Sequence, residues 1–381
     1  MGNNRKIDWG MTGIKMVDLQ AQYVRYQLSI DAHVLSVMKD GAFIQGPQVA
    51  ELESALSLRY NVKHVIGCAN GTDALQLAFM ALELPRGSEV ITPSFSYVAV
   101  AEILLLLGLK PVFVEVDPLT FLVDLEAIKN AITPNTRAIV PVHLFGQMAS
   151  MGAIMELAYQ YNLFVVEDTA QSMGSQYCFH GEHGFAGTIG HIGTTSFFPS
   201  KNLGCFGDGG AIFTQDDSLA QKLRMLANHG QKVKYQHDMV GLNSRLDTLQ
   251  ASILLAKLPH LFEFEQSRNA VASRYNLALK DCSKIAIPKQ NAVSSHVYHQ
   301  YTLICESHAL RESLKAYLGN NEIPSMVYYP IPLHKQKAYA QLVDLPITDD
   351  LCKRVLSLPI CPELQESHQD KIIKTIQEHL E

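Results

Sequence analysis

The chain has 381 residues, of which 47% are hydrophobic and 18% charged, a composition that supports a buried core and excludes a disordered chain. Its formal net charge is −6 and it contains no block of lysine or arginine, so we expect no nucleic-acid partner, since phosphate backbones are bound through clustered basic residues. Its seven cysteines lack the spacing of zinc or disulfide frameworks and its longest apolar run is too short to cross a bilayer, so we predict a soluble cytoplasmic protein with no metal and no membrane contact.

The predicted elements alternate between short β-rich runs and helical stretches. A helix over IDAHVLSVMKDG, which Gly41 would cap, comes first. From about Lys63 onward, helices separate the runs HVIGCAN, EVITPSF, PVFVEVD, RAIVPVH and LFVVEDT, and the shorter runs TTSFFPS and GGAIFTQD follow. This alternation is typical of βαβ units, so we predict an α/β fold with a mainly parallel sheet of about seven strands.

The last third of the chain changes character. Helices near Ser218 to Asn228 and Leu246 to Leu261 are followed by a mixed α and β pattern that continues to Glu381. A chain of this length exceeds the size, about 250–300 residues, at which single cores usually stop growing. We therefore predict a large domain over residues 1–264, which includes an N-terminal segment, and a smaller α/β domain over residues 265–381.

Candidate chemistry lies in loops that follow predicted strands, because ligands on open α/β sheets bind beyond the carboxyl ends of the strands. In CANGTDALQ, Gly71 and Thr72 open a helix whose free N–H groups suit a phosphate, although an ordinary N-cap is the alternative. In VVEDTAQS, Asp168 ends a strand, where it would pair with a cation, bind a metal or cap the next helix.

A third loop, SFFPSKNLGCFGDGG from Ser196 to Gly210, sets one lysine, Lys201, among small residues and glycines. A lysine amine forms a Schiff base with an aldehyde once its pKa falls from about 10.4, although most lysines are solvated surface charges. The glycines would let the backbone turn tightly beside a bound planar molecule. A dinucleotide is not expected, because the string TIGHIG lacks the GxGxxG spacing.

A phosphate seat, a strand-end carboxylate and a lysine, in this order, are typical of fold-type I enzymes that use pyridoxal 5'-phosphate (PLP). Compared as whole strings, from MVDLQAQY at Met16 to YPIPLH at Tyr329, the sequence resembles the DegT/DnrJ family of sugar-nucleotide aminotransferases over nearly its full length. The resemblance implies PLP as the cofactor, a nucleotide-sugar substrate, an amino-acid donor that is most often glutamate, and a homodimer whose active sites are shared between subunits.

By that resemblance, Lys201 forms the Schiff base and moves the proton during transfer, Asp168 holds the N–H of the pyridine ring, and Gln171 lies beside the phenolic oxygen. Related sugar dehydratases carry histidine in place of the lysine, so transamination is preferred over dehydration. The residues assigned to cofactor binding are Gly71, Thr72, Tyr97, Asp168, Gln171, Ser196, Lys201 and Asn243, the last reaching the site of the partner subunit. A core role for Tyr97 and a helix cap at Asn243 are the alternatives.

The resemblance further assigns a set of residues to the sugar nucleotide, namely Gly41, Phe43, Ser200, Arg245, Tyr328, Tyr329 and His334. Packing is the alternative for Phe43 and the two tyrosines, and a satisfied loop histidine is the alternative for His334.

The strings TSFFPSKNLGCFGDGGAIFT and NSRLDTLQASILLAKL are most similar to the subgroup that aminates C3 of UDP-2-acetamido-2-deoxy-3-oxo-glucuronate for surface polysaccharides such as lipopolysaccharide O-antigen. Tyr328 departs from the histidine of that subgroup, so amination at C4 of a 4-keto-6-deoxy nucleotide sugar stays an alternative. A non-catalytic PLP-binding regulatory protein is an alternative of another class, which the presence of Lys201 and Asp168 does not favour.

Overall fold

The structure, a computed structural model, describes residues 13–179 and 181–381. Within these ranges the α-helices are α1 Leu19–Asp40, α2 Pro47–Tyr60, α3 Gly71–Leu82, α4 Ala99–Leu106, α5 Leu125–Ala131, α6 Met151–Tyr161, α7 Asp217–Ala227, α8 Thr248–Lys257, α9 Leu261–Leu279, α10 His308–Asn320, α11 Pro346–Arg354 and α12 Glu366–Leu380. The strands are β1 His64–Cys68, β2 Glu89–Pro93, β3 Lys110–Val114, β4 Thr136–Ile139, β5 Phe164–Asp168, β6 Gln176–Phe179, β7 Glu182–Phe185, β8 Ile192–Ser196, β9 Gly210–Thr214, β10 Gln231–Val233, β11 Gln236–His237, β12 Ile285–Ala286, β13 Tyr301–Cys305 and β14 Val355–Leu358.

The central sheet has seven strands in the order β1-β9-β8-β5-β4-β2-β3. Strand β9 runs antiparallel to both of its neighbours, and the pairs β8/β5, β5/β4, β4/β2 and β2/β3 are parallel. The prediction of an α/β fold with a mainly parallel sheet of about seven strands is therefore confirmed.

Both faces of this sheet are covered, because successive strand residues point to opposite sides. Val166 packs with Leu75 and Phe79 of α3 in one core cluster, whereas its neighbour Val165 packs with Ile154 of α6 in another. Buried strands of this kind read as continuous apolar runs, which is why the sequence shows little polar alternation here.

Helices α1, α2 and α8 pack together against the β1/β9 end of the sheet. Asp18 caps the start of α1 by accepting a hydrogen bond from Ala21 N–H at 3.0 Å. Gly41 caps its end in the left-handed conformation, with φ of 70°, and donates its N–H to Val37. The cap predicted at Gly41 is thus confirmed.

The C-terminal part of the chain has its own core, built from α9, α10 and α12 around a three-stranded antiparallel sheet, β12-β13-β14. The buried members of this cluster run from Val271 to Leu380. Helix α9 crosses the division predicted after residue 264, so the exact boundary stays a prediction. Within residues 13–179 and 181–381, no helix combines the length and the apolar character needed to cross a membrane.

Candidate active site

The carboxyl ends of three strands meet at one edge of the central sheet. Cys68 ends β1, Asp168 ends β5 and Ser196 ends β8, and the loop that follows β8 carries Lys201 before the chain returns as β9. Neighbouring parallel strands place their carboxyl ends together, so residues far apart in sequence line one cavity here.

That cavity has a volume of about 510 Å³. Ten of the residues predicted to form the site line it, namely Gly71, Thr72, Tyr97, Asp168, Gln171, Ser196, Ser200, Lys201, Tyr328 and Tyr329. Predicted site residues from five separate segments of the sequence are therefore brought to one place by the fold.

One end of the cavity is the N-terminus of α3. Asn70 is its N-cap and accepts a hydrogen bond from Asp73 N–H at 2.8 Å. The N–H groups of Gly71 and Thr72 have no partner among the described residues, so both stay available to an anion at the positive end of the helix. A Cβ on Gly71 would lie 2.7 Å from the Cβ of Ser196, so glycine is required for this close approach. Asn70 therefore caps α3 without using the N–H groups of Gly71 and Thr72, which stay free to bind a phosphate.

Asp168 also lines the cavity and is only 8% exposed. One carboxylate oxygen, Oδ1, accepts the N–H of Ala170 at 3.0 Å, as a capping residue would. Burial raises the pKa of Asp168, while that N–H and the charge of Lys201 oppose the rise. Asp168 is therefore a buried carboxylate with one hydrogen bond from the backbone, and it could pair with a protonated ring nitrogen placed in the cavity.

Lys201 is half-buried on the turn after β8, where its N–H donates to Phe198 O at 2.8 Å. Burial lowers the pKa of its amine to about 8, and the charge of Asp168 counteracts part of this effect. Its amine has no hydrogen bond or ion pair with the described residues. The side chain is thus an unpaired amine that loses its proton more readily than an ordinary lysine, and the neutral amine is the state that attacks an aldehyde.

The glycines after Lys201 are needed for space. None of the four, Gly204, Gly207, Gly209 and Gly210, has a left-handed φ, so close approach of other atoms is what favours glycine here. A Cβ on Gly204 would lie 2.3 Å from the carbonyl oxygen of Pro199, and one on Gly210 would lie 2.5 Å from the backbone of Asn70. Because both positions lack a Cβ, the lysine loop can fold back on itself and lie against the start of α3.

An amide and two tyrosines form a further wall of the cavity. Gln171 accepts the N–H of Phe145 at 2.9 Å and donates from Nε2 to the hydroxyl of Tyr329 at 3.0 Å. The ring of Tyr97 lies 6.3 Å from that of Tyr329 and is 56% exposed, which excludes a core role for Tyr97. The aromatic face is thus open to a planar ligand.

A buried pair that was not predicted lies directly behind Asp168. Glu167 is fully buried and accepts N–H bonds from Gly187 at 3.0 Å, Ile189 at 2.8 Å and Gly190 at 2.6 Å. It also lies 2.8 Å from Nε2 of His143, whose Nδ1 accepts the N–H of Ala149, so Nε2 carries the proton. Two of these donors, Ile189 and Gly190, belong to the string TIGHIG, which therefore binds a carboxylate of the protein itself.

Replacing Glu167 with glutamine should destabilise the fold by about 3 kcal/mol, because buried donors that now bond to a carboxylate would lose their acceptor. The NH2 group of the new amide would face the donors of Gly187 and His143 in one orientation. In the other orientation it would face the N–H groups of Ile189 and Gly190. Chemical unfolding followed by circular dichroism measures the loss. Glu156→Gln, on the exposed face of α6, is the matched control, and equal stability of the two variants would contradict the prediction.

His299 also lines the cavity and was not predicted, because nothing in SHVYHQYTL distinguishes it from a core histidine. Its ring is 5% exposed, and Nδ1 has no hydrogen-bond partner among the described residues. Burial holds its pKa well below the usual value, and the charges of Lys201 and Arg268 add to this effect. The imidazole is therefore neutral beside the reactive lysine.

Four predicted site residues lie on a second surface. Arg245 lines a separate cavity of about 420 Å³ together with Arg224 and Lys232. Asn243 is exposed and pairs through its backbone with Asn228, and it does not cap α8, which begins after Asp247.

The loop that carries Gly41 and Phe43 is tied to the start of α8. Thr248 N–H donates to Phe43 O at 3.0 Å, and Gly46 N–H donates to the Thr248 hydroxyl at 3.0 Å. The side chain of Phe43 is 44% exposed, so it is not a packing residue of this chain. Gly41, Phe43, Asn243 and Arg245 thus belong to one region of the surface.

His334 lies outside both cavities. It is 2% exposed, its Nδ1 lies 2.8 Å from the hydroxyl of Ser94, and its Nε2 lies 3.4 Å from Asp349. Only Nδ1 is satisfied, because Nε2 of His334 and the facing oxygen of Asp349 have no hydrogen-bond partner among the described residues. A role of His334 in sugar binding stays a prediction.

The residues around the first cavity suit PLP. The free N–H groups of α3 and the Ser196 hydroxyl match a phosphate, and Asp168 and Lys201 in the same cavity match a pyridine nitrogen and an aldehyde. Among the described residues, no group of three or more histidine, cysteine, aspartate or glutamate side chains is arranged to hold a metal ion.

The model of the DegT/DnrJ/EryC1/StrS aminotransferase family matches residues 25–377. The chain belongs to this family. This aminotransferase is 48% identical to UDP-2-acetamido-2-deoxy-3-oxo-D-glucuronate aminotransferase of Pseudomonas aeruginosa over 92% of its own length and 96% of that protein. It is 43% identical to UDP-N-acetyl-3-dehydro-alpha-D-glucosamine 3-aminotransferase of Acidithiobacillus ferrooxidans, over 97% and 98% of the two chains.

Among solved structures, the aminotransferase fold matches NtdA of Bacillus subtilis with bound cofactor PMP. The TM-score is 0.86 and the identity 31%, over 93% of this chain and 82% of that one. PMP is the aminated form of PLP, so both the cofactor and the enzyme class predicted from the sequence are confirmed.

Proposed function

We propose that this aminotransferase moves an amino group from L-glutamate to C3 of UDP-2-acetamido-2-deoxy-3-oxo-glucuronate. The observation that carries the proposal is the single cavity that holds Lys201, Asp168 and the free N-terminus of α3. The substrate follows from the names of the two relatives described above, both of which act on a UDP-linked 3-oxo sugar. A cytoplasmic place in the synthesis of surface polysaccharide, such as lipopolysaccharide O-antigen, belongs to the same proposal.

When bound, PLP supplies an aldehyde that carries the amino group and a ring that withdraws electrons from the reacting carbon. The protein residues have distinct tasks around it. Thr72, Ser196 and the N–H groups of α3 bind the phosphate, and Asp168 keeps the ring nitrogen protonated. Tyr97 covers the ring face. The amine of Lys201 would hold the aldehyde covalently with loss of water. Once the amino-acid donor displaces it, the freed amine would carry the proton between the substrate carbon and the cofactor, for which its lowered pKa of about 8 suits it.

We propose a homodimer because the predicted site residues are divided between two regions of one chain. Ten line the Lys201 cavity, whereas Gly41, Phe43, Asn243 and Arg245 lie around the second surface with two further cations, Arg224 and Lys232. A nucleotide sugar carries a diphosphate, and such cations are suited to bind it. If the second surface faces the Lys201 cavity of a partner subunit, all the residues meet at one composite site.

Tyr328 is the residue for uronate recognition in this proposal. It is half-buried, lines the Lys201 cavity, and offers a neutral hydroxyl donor to the sugar carboxylate. We expect Tyr328→Phe to raise KM for the uronate about tenfold, because it removes one hydrogen bond to a charged group. KM for UDP-N-acetyl-3-dehydro-alpha-D-glucosamine, which has no carboxylate, should not change. Equal effects on the two substrates would assign Tyr328 to packing.

The experiment is a coupled assay with purified protein, PLP, L-glutamate and a panel of UDP- and dTDP-linked keto sugars made in situ by their dehydrogenases or dehydratases. We expect one 2-oxoglutarate for each aminated 3-keto-uronate, identified by mass spectrometry. Lys201→Ala, tested on the same panel, controls for amination by other proteins. Turnover of 4-keto-6-deoxy sugars alone would overturn the C3 proposal in favour of C4 amination.

A further inference from the structure

Lys257 is a buried cation that the reaction does not use. It ends α8, is 1% exposed, and donates its amine to the carbonyl oxygen of Gly204. Its Nζ also lies 5.6 Å from the ring centre of Phe206. Both contacts fall on the loop that follows β8 and carries Lys201.

A second residue of α8 binds the same loop. Gln250 accepts the N–H of Phe206 at 2.9 Å and lies with Nε2 3.4 Å from its carbonyl oxygen. It precedes Lys257 by seven residues, which is two helical turns, so both side chains lie on one face of α8. The ends of the loop are held separately, since Phe197 N–H donates to Gly209 O and Cys205 N–H to Phe197 O.

The position of Lys257 is not explained by packing or by an ion pair. No carboxylate of the described residues lies within 4.0 Å of its amine, and a buried cation without such a partner is costly. Burial accordingly lowers its pKa to about 8. A methionine would fill the same space at no electrostatic cost, so the amine itself has a task, and its contacts are with the lysine loop.

We propose that Lys257 is a positioning residue, which fixes the loop of residues 198–206 from α8 so that the amine of Lys201 faces the cavity. The proposal rests on the role proposed for Lys201 above. A loop of this length without such an anchor would sample several conformations, and the reacting amine would spend less time within reach of the cofactor aldehyde.

The test is Lys257→Met in the full-length protein, with Ser252→Ala as the matched control, because Ser252 is buried on the same helix and bonds only to Leu249. PLP is titrated into apoprotein, and its covalent attachment is followed by visible absorbance and by borohydride trapping. We expect Lys257→Met to bind PLP about tenfold more weakly and to attach it more slowly, the effect of losing one charge-assisted hydrogen bond. Its apoprotein should melt at the same temperature as Ser252→Ala.

If Lys257→Met binds and attaches PLP as tightly and as fast as the wild type, the proposal is overturned. It is also overturned if the apoprotein of this variant melts at a lower temperature and that loss of stability explains the weaker binding. If Lys257→Met does not fold, Gln250→Ala is the test, because Gln250 is half-buried and its replacement leaves no cavity in the core. We expect Gln250→Ala to weaken PLP binding and slow its attachment, by less than Lys257→Met. Lys201→Ala is measured alongside. If Lys201→Ala still attaches PLP, the role proposed for Lys201 is wrong. If Lys201→Ala does not attach PLP but the Lys257 and Gln250 variants attach it normally, only the positioning role of Lys257 is wrong.

Discussion

Lys201→Ala is expected to abolish amino transfer and leave the fold intact. The variant loses both the nucleophile and the proton carrier, and loss of a positioned general base alone lowers kcat by about 10²–10⁴-fold. Stability should be preserved, because the amine has no hydrogen bond or ion pair among the described residues and its burial is unfavourable. The measurements are turnover, the visible absorbance of bound PLP and the melting temperature.

The matched control for this variant is Lys374→Ala, whose side chain is 79% exposed on α12. It should keep wild-type turnover and absorbance. Retention of a covalent PLP linkage by Lys201→Ala, located at another lysine by borohydride reduction and peptide mapping, would show that the reactive lysine is not Lys201.

The pH dependence of PLP attachment follows from the same residue. Burial lowers the pKa of Lys201 to about 8, and only the neutral amine attacks. The attachment rate should therefore rise about tenfold per pH unit below pH 8 and level off above it. Asp168 raises this pKa, so Asp168→Asn should move the midpoint to lower pH. Stopped-flow absorbance across the range measures both profiles, and an upward shift in Asp168→Asn would contradict the assigned electrostatics.

The sheet and the first cavity were predictable because their signals are local. Short buried strands produce continuous apolar runs, and glycine, threonine, aspartate and lysine at the strand ends mark the cavity. The free N–H groups after Asn70 and the buried carboxylate of Asp168 stand where these runs end. The position of these three loops at strand ends could be predicted from neighbouring residues, whereas the roles of the site residues came from the resemblance to the family.

The residues that escaped prediction depend on contacts between distant segments. Glu167 is held by N–H groups some 20 residues onward, as its bond to Gly187 shows, and the glycines that allow this have no recognised motif spacing. Lys257 appears in the sequence as an ordinary basic residue at the end of a helix, and only the fold shows that it meets the lysine loop. Backbone carbonyl and N–H partners leave no trace in residue identity, which is why such contacts need coordinates.

The proposed sharing of active sites in a homodimer makes a quantitative prediction for mixed dimers. Lys201→Ala and Arg245→Ala should each be inactive alone. If the two are co-expressed and assort at random, half of the dimers are mixed, and each mixed dimer has one site with both lesions and one with neither. About a quarter of the wild-type activity should therefore return. If Arg245 served the cavity of its own subunit, every site would carry a lesion and no activity would return. Separate affinity tags allow the mixed dimer to be purified, and its activity should then be about half that of the wild type, because one of its two sites is complete.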